Sequence, residues 1–352
     1  MVDSKQQWKA WLYLAPAIVL LLVFTGWPII NTVRMAFLDG YNGMEAVRGV
    51  TYSIGIENFV KVISYKGFID CLLNTLFLCF LTVPISTILA LLIAVCLNSI
   101  KPLQRTLQTI FFLPYVTNSI AIGMVFAAMF NIVGNALGTP NEIVVTAGII
   151  NNVLELYNHI PTAIHSGLVA LYNSADASFM QGILGSLAAF AEKFVLDLPV
   201  NWINAGSSYW ANMTVMTVYI VWNALPFKIL VLLGGLQSIN KQYYDAAKVD
   251  GTPRRRVFTK ITVPLLSPML AYVVITGFIG GFKEYSSIVG IFGVNMGPAD
   301  DAGRLNTMVG YIYDALPDQK YGRASAAALI LFAIIFVITM INMQVSKKRV
   351  HY

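Results

Sequence analysis

Long apolar runs are the feature that most constrains the fold of this 352-residue chain. A helix needs about 20 consecutive apolar residues to cross the hydrocarbon core of a bilayer. Six runs reach this length, at residues 11–30, 72–97, 110–132, 210–236, 269–291 and 324–345. The sequence therefore predicts an all-α polytopic membrane protein, with six transmembrane helices in one domain of residues 1–352.

The composition agrees with a membrane protein and excludes an ordinary soluble domain. Hydrophobic residues make up 57% of the chain and charged residues only 11%, whereas soluble domains carry about 25% charged residues.

The distribution of charge predicts that both termini are cytoplasmic. With six alternating spans and an inner N-terminus, the cytoplasmic segments carry 13 Lys and Arg residues against three acidic residues. The outer segments carry eight basic and 13 acidic residues. Basic residues near span ends favour the cytoplasmic side and attract anionic lipid. They therefore point to membrane lipid as a partner and not to nucleic acid.

Residues 133–209 separate the third and fourth spans and are predicted to be an extracytoplasmic insertion. Part of it, residues 179–198, is apolar enough to resemble a span. One extra span would place the basic loop at 238–268 outside, against the charge distribution. A second extra span at 142–160 would bury several amides and acids in lipid. We therefore expect two or three short amphipathic helices, some of which can lie on the membrane surface.

The loop at residues 238–268 carries six basic residues and local signals for two helices joined by a turn. Ser238 or Asn240 can cap a helix that begins near Lys241 and continues to Val249. Gly251 stands where a helix C-terminus favours a left-handed residue, and Pro253 prevents continuation. A second helix is expected from Arg254 onwards. On physical grounds alone, this loop could equally be a simple amphipathic connector between two spans.

The spacing within this loop resembles the EAA loop of permease subunits of ABC importers. The positions in register are Asp245-Ala246-Ala247, Asp250-Gly251, Phe258, Ile261, Pro264 and Pro268. The departures are Asp245 in place of Glu and Thr252 in place of Ala. Other stretches resemble the carbohydrate-uptake branch, which includes maltose, lactose and glycerol-phosphate permeases: Leu14–Ala17, Phe111–Pro114, Gly235–Ile239, Tyr311–Tyr313 and Tyr321–Ala326.

The resemblance implies the type I importer permease fold in a bacterial inner membrane. It implies that residues 238–268 form a coupling loop that docks on a cytoplasmic ATPase. The coupling residues carried over are Asp245, Ala246, Ala247, Asp250, Gly251, Phe258 and Pro264. The implied partners are a second permease subunit, two ATPase copies, an extracytoplasmic solute-binding protein and a sugar, most simply a di- or oligosaccharide. No cofactor is expected in this chain, because ATP and Mg²⁺ would bind the ATPases.

Polar residues inside two spans are the candidates for a substrate pathway. Asn212, Tyr219 and Asn223 lie within about 40° of one another on a helix, and Tyr272, Thr276, Lys283 and Glu284 follow the fifth span. Such residues line a water-filled path or form hydrogen bonds between helices, and both alternatives stay open. Lys283 and Glu284 are expected to neutralise each other or to line a vestibule, and Lys228 to extend towards the cytoplasmic interface.

The sequence predicts a protein that is not an enzyme. It shows no Ser-His-Asp arrangement, no phosphate-binding glycine loop, no paired carboxylates and no histidine spacing typical of a metal site. Three alternatives remain beside a sugar permease: a permease for glycerol-phosphate or another polar solute, a stand-alone secondary transporter, and a membrane-embedded enzyme. The last would require clustered acids or histidines at a membrane face, which the sequence lacks.

Overall fold

The computed structural model describes residues 7–100, 104–135, 144–174 and 178–349. Parts of the predicted insertion, at 136–143 and 175–177, lie outside the described residues, as do both ends of the predicted domain. The described chain is helical, as predicted, except for one short two-stranded ladder that the sequence did not predict. The helices are α1 (Gln7–Leu21), α2 (Trp27–Ala36), α3 (Gly43–Val47), α4 (Glu57–Ser64), α5 (Lys66–Ser99), α6 (Gln104–Val116), α7 (Ser119–Phe130), α8 (Ile149–Ser174), α9 (Ser178–Glu192), α10 (Tyr209–Ser238), α11 (Lys241–Val249), α12 (Arg254–Val257), α13 (Val263–Leu265), α14 (Ser267–Gly281), α15 (Ser286–Phe292), α16 (Met308–Asp314) and α17 (Tyr321–Arg349).

Two π-helical segments and two strands complete the secondary structure. The π segments are Leu22–Gly26, between α1 and α2, and Phe258–Thr262, between α12 and α13. Strands β1 (Ile132–Asn135) and β2 (Val144–Ala147) pair antiparallel, with Ile132 opposite Ala147.

The chain divides into two compact units. Unit 1 comprises Met1–Gln108, Phe227–Tyr285 and Asn306–Tyr352, and unit 2 comprises Thr109–Pro226 and Ser286–Leu305. Helix α10 contributes its first part to unit 2 and its last part to unit 1.

Unit 1 is built around α5, which contacts α4, α14 and α16, and around α17, which contacts α2, α4, α14 and α16. Its core includes Phe68, Val83, Phe282, Met308 and other buried apolar side chains. Three buried hydroxyls of α5 are satisfied within the helix: Thr75, Ser86 and Thr87 each donate to the carbonyl four residues earlier, at 2.6–2.7 Å. This long helix can therefore bury hydroxyl groups without leaving a donor unpaired.

Unit 2 contains a helix crossing at two glycines. Helices α7 and α15 pack together, and a Cβ atom built on Gly290 would lie 3.0 Å from the Cα of Gly123. Small residues allow helix backbones to approach this closely, as is common in membrane helix pairs.

The predicted insertion is more regular than expected. Helix α8 runs for 26 residues and α9 for 15, instead of two or three short helices. Two of the polar residues of α8 that would be costly in lipid bond to backbone groups. Asn158 exchanges hydrogen bonds with Leu196, at 3.0 and 2.8 Å, and Asn151 with Val200, at 3.1 Å each.

Four described helical segments are long and apolar enough to cross a membrane, or up to six if each of two sharply bent helix pairs counts as one span. The four are Trp8–Ala36, Lys66–Ser99, Tyr209–Ser238 and Tyr321–Lys347. The bent pairs are Gln108–Val116 with Ser119–Phe130, at 103°, and Arg254–Leu265 with Ser267–Gly281, at 65°.

The structure differs from two of the predicted continuous spans. The run at 110–132 is divided because the Asn118 side chain accepts a hydrogen bond from the amide of Ile120, at 2.8 Å, and so caps α7. The run at 269–291 is also divided: α14 ends at Gly281, and α15 begins at Ser286. The residues at the breaks are polar, with Asn118 at the first and Lys283 and Glu284 at the second, but hydropathy averaged over each whole run did not indicate them.

Candidate functional site

The first half of the 238–268 loop folds as the sequence predicts. Helix α11 spans Lys241–Val249, and the Asn240 side chain accepts a hydrogen bond from the amide of Gln242, at 3.0 Å. This cap satisfies one of the free N–H groups in the first turn.

The C-terminus of α11 is closed by a glycine turn. Gly251 has φ +64°, its amide donates to the carbonyl of Lys248, and the amide of Thr252 donates to that of Ala247, at 3.1 and 2.9 Å. This is the Schellman pattern of helix termination. Space around Gly251 is open, so the backbone conformation, and not crowding, is what requires glycine here.

The second half of the loop is a widened helix that is tied to the first. The π segment Phe258–Thr262 ends just before Pro264, and Pro264 cannot donate to an earlier carbonyl and crowds the turn before it. The hydroxyls of Tyr244 and Thr262 lie 3.3 Å apart, and this hydrogen bond joins α11 to the π segment. Phe258 and Pro264 are half-buried, so the second half of the loop also packs against the rest of the chain.

The outward surface of α11 differs from the one that the sequence suggested. Ala246 is exposed, but Ala247 is only 6% exposed and packs within the chain. Asp245 and Asp250 are exposed, and within the described chain the Asp245 side chain forms no hydrogen bond or ion pair. Val249, a residue that the sequence did not single out, is 88% exposed. Val249 lies three residues after Ala246 and four after Asp245, so the three side chains share the exposed side of α11.

Two residues of the predicted pathway stripe on α10 are occupied by hydrogen bonds. Asn212 is fully buried and donates to the carbonyl of Trp202, at 2.7 Å, and to the hydroxyl of Ser207, at 2.9 Å. Tyr219 is fully buried and donates to the carbonyl of Ser119, at 2.6 Å. Both therefore hold segments of unit 2 together. Asn223 is half-buried and forms no hydrogen bond through its amide with another described residue.

The stripe on α14 and beyond is more open. Tyr272 is exposed and its ring lies 6.4 Å from that of Phe227. Thr276 donates to the carbonyl of Tyr272, at 2.7 Å. Lys283 is exposed and forms no ion pair within the described chain, so the expected mutual neutralisation with Glu284 is not found. Glu284 is half-buried, and its carbonyl accepts a hydrogen bond from Thr307, at 2.8 Å.

The expectation that Lys228 extends to the cytoplasmic interface is wrong. Lys228 is 4% exposed, and its ammonium donates to the hydroxyls of Ser86 and Thr87 and to the carbonyl of Val83, at 2.6, 3.0 and 3.2 Å. A Cβ atom on Gly277 would lie 3.3 Å from the same ammonium. This lysine thus lies where α10 and α14, the helices on either side of the loop, meet α5. The sequence could indicate a polar residue in a span, but not its partners, which lie 141 to 145 residues earlier.

Comparison with known proteins identifies the family. The sequence profile of the binding-protein-dependent transport system inner membrane components matches residues 58–352. This family consists of transport permeases and not of enzymes. The match confirms the resemblance that was based on the loop.

Individual relatives match along most of the chain. The lactose transport system permease protein LacF of Rhizobium radiobacter is 25% identical, covering 97% of this chain and 95% of the relative. The arabinooligosaccharides transport system permease protein AraP of Bacillus subtilis is 25% identical, over 96% and 88%. The multiple sugar-binding transport system permease protein MsmF of Streptococcus mutans is 24% identical, over 96% and 95%.

A solved structure has the same fold. It is a crystal structure of a bacterial alginate ABC transporter in complex with a periplasmic protein that holds an alginate pentasaccharide. One chain of it matches with a TM-score of 0.69 and 20% identity, over 98% of this chain and 96% of that chain. With its helices, its candidate spans and the match over residues 58–352, this chain belongs to the binding-protein-dependent transport system inner membrane components, as a multi-pass permease subunit of an ABC importer.

Proposed function

We propose that this permease moves a sugar, of di- or oligosaccharide size, across a bacterial inner membrane. The names of its relatives support this substrate class, since they refer to lactose, arabinooligosaccharides and multiple sugars. The solute-binding protein that delivers the sugar has its counterpart in the periplasmic protein of the alginate transporter structure.

The proposed assembly contains a second permease subunit and two copies of an ATPase, which bind ATP and Mg²⁺. This chain contributes six spans, with both termini in the cytoplasm, and residues 133–209 on the outer side. Closure of the ATPases acts on the coupling loop, 238–268, and switches the spans between inward-facing and outward-facing states.

The observation that carries the proposed coupling is the exposed helix α11. It is capped by Asn240 at one end and by the turn at Gly251 at the other. Asp245, Ala246 and Val249 point away from the chain. A fixed helix with an exposed acid, a small residue and an apolar side chain is suited to dock in a groove with a cationic rim, since interface cores favour apolar contacts and rims favour polar ones.

The turn at Gly251 gives a direct test. A β-branched residue with positive φ is strained by about 1–2 kcal/mol, whereas asparagine tolerates this conformation. In the complex assembled with its ATPases, Gly251→Val should uncouple ATP hydrolysis from sugar uptake, and Gly251→Asn should retain coupling. Coupled uptake by a fully assembled Gly251→Val complex would contradict the proposal.

The charge of Asp245 gives a second test of docking. If its carboxylate meets a cation on the ATPase, Asp245→Asn should weaken ATPase binding by roughly tenfold or more, since a hydrogen bond between charged groups contributes about 1.5–3 kcal/mol. Asp245→Glu, which restores the residue typical of the loop, should bind at least as well. Equal affinities for all three proteins would show that no ion pair forms.

The substrate pathway is proposed to use the residues whose polar groups are open. These are Asn223, Tyr272 and Lys283. Thr276 is included because it lies one turn after Tyr272 on α14, although its hydroxyl donates to the carbonyl of Tyr272. An exposed ammonium at Lys283 could also attract a phosphate, so glycerol-phosphate is the alternative substrate. Binding of the partner solute-binding protein to a sugar panel and to glycerol-phosphate, measured by calorimetry, separates the two. Transport by the purified chain without ATPases would instead indicate a secondary transporter.

A further inference from the structure

The helical hairpin α8–α9 presents an exposed apolar face that the chain itself does not cover. Val153, Leu156, Ile160 and Ile164 follow one side of α8, and Leu187 and Phe190 lie on α9. Their exposed fractions are between 47% and 71%. Apolar side chains at such regular helical spacing are normally turned towards a core, so this face requires another explanation.

The residues of α8 divide into three sectors around the helix. One sector faces α9 and the segment after it. There Asn151, Asn158 and His165 bond to the backbone carbonyls of Val200, Leu196 and Ala188. A second sector is exposed and polar, and includes Glu155 and Ser166. The third is the exposed apolar stripe. A helix whose apolar and polar sectors are both open matches a helix that lies in the plane of a membrane interface.

The stripes of α8 and α9 lie on the same side of the hairpin. The helices are antiparallel neighbours, because the ring of His165 bonds to the carbonyl of Ala188, at 3.0 Å, and the ring of Tyr172 lies beside Gly185. Each residue turns the helix by about 100°. Viewed along each helix from its N-terminus, the apolar stripe is rotated by a similar angle and in the same sense from the residues at the α8–α9 contact, such as His165 and Ala188. In an antiparallel pair this places both stripes on one side, so the hairpin has a single broad apolar face.

The hairpin is attached directly to membrane helices. Helix α8 packs on α7, which belongs to a bent pair apolar enough to span a bilayer, and α9 leads to α10, a candidate span whose first residues include the exposed Trp210. The apolar face thus belongs to a hairpin that adjoins helices apolar enough to span a bilayer. It contains no charged residue, whereas the surfaces by which proteins bind one another reversibly are about as polar as the rest of the surface.

We propose that the α8–α9 hairpin lies in the outer interface of the membrane, with its apolar face against the acyl chains of the lipids. The hairpin would then hold the outer ends of α7 and α10 at a fixed depth. The outer location of the hairpin rests on the topology given under the proposed function. The contact with lipid does not depend on that topology.

Spin labels on the full chain test this contact. Cys96, which is exposed, is replaced by serine, and labels are placed on the face through Leu156→Cys or Phe190→Cys. Matched controls on the open polar sector carry Glu155→Cys or Ser166→Cys. The samples are membrane vesicles from cells that express the chain with its partner subunits, and purified chain in phosphatidylethanolamine and phosphatidylglycerol vesicles. Molecular oxygen reports lipid contact and a water-soluble nickel chelate reports water contact.

We expect the ratio of oxygen to nickel collisions to be several-fold higher on the face than at the controls, in both samples. Face labels that neither reagent reaches when the partners are present would show that a second permease covers the face. Face labels reached mainly by nickel would show a water-exposed surface open to a solute-binding protein. Either result overturns the proposal. Separately, Glu155→Cys should react with a membrane-impermeant maleimide on spheroplasts. Failure of that reaction alone would contradict the topology and not the lipid contact.

Discussion

The hydrogen bonds of Lys228 allow a prediction in which removing the charge and removing its partners have different effects. Burying a lysine in the membrane costs about 2.5–3.5 kcal/mol. Its three hydrogen bonds return about 0.6–1.7 kcal/mol each, so the two contributions nearly cancel. Ser86 and Thr87 keep their own donors paired with Thr82 and Val83 when the ammonium is removed. We therefore expect Lys228→Met to change the free energy of unfolding by no more than about 1 kcal/mol.

Removing the partners instead should be strongly destabilising. In the double variant Ser86→Ala and Thr87→Val, the ammonium keeps only the carbonyl of Val83, its longest contact. Leaving a buried charge without its partners costs about 3–5 kcal/mol. Adding Lys228→Met to the double variant should restore most of this loss, because the uncompensated charge is then absent.

Thermal unfolding in detergent micelles measures all three variants. At about 2–4 °C per kcal/mol, the double variant should lose roughly 6 °C or more in Tm, and the triple variant should recover to within a few degrees of the natural protein. Ser99→Ala is the control, since Ser99 is exposed and bonds only within its own helix. A triple variant as unstable as the double one would refute the reasoning. So would a loss of Tm in the triple variant equal to the sum of the losses in Lys228→Met and in the double variant.

Three further predictions concern other contacts. Gly290→Leu should lower Tm because the α7–α15 crossing has no space for a side chain, whereas Gly280→Leu, with open space around it, should not; thermal unfolding measures both. Asn212→Ala should destabilise the protein by about 1–3 kcal/mol, because it leaves the carbonyl of Trp202 and the hydroxyl of Ser207 without this donor. Asn223→Ala should instead reduce uptake and leave Tm unchanged. Asn240→Ala should cost about 1 kcal/mol of local stability at the start of α11, seen as faster hydrogen exchange of the first amides, and Asn240→Ser should not.

Local chemistry was sufficient to predict the fold of the first half of the 238–268 loop. The bounds of α11 and the turn at Gly251 follow from capping residues that act within a few positions of one another. The partners of Lys228 could not be predicted, because they depend on which helices meet in three dimensions. The same reason explains why Ala246 and Ala247, equivalent in sequence, differ in exposure. The break at Asn118 is local, but an apolar run conceals a capping residue when hydropathy is averaged over its length.

The polar residues within the spans separate into two groups with different consequences for transport. Asn212, Tyr219 and Lys228 are buried, and the described hydrogen bonds account for what each one holds in place. Such residues limit which helices can move, because separating them would leave polar groups unpaired in a medium without water. Asn223 and Lys283, by contrast, have polar ends that no described residue occupies. Under the proposed function, a sugar exchanges its hydration for protein hydrogen bonds as it passes, so only groups of the second kind can bind it without first breaking a bond between helices.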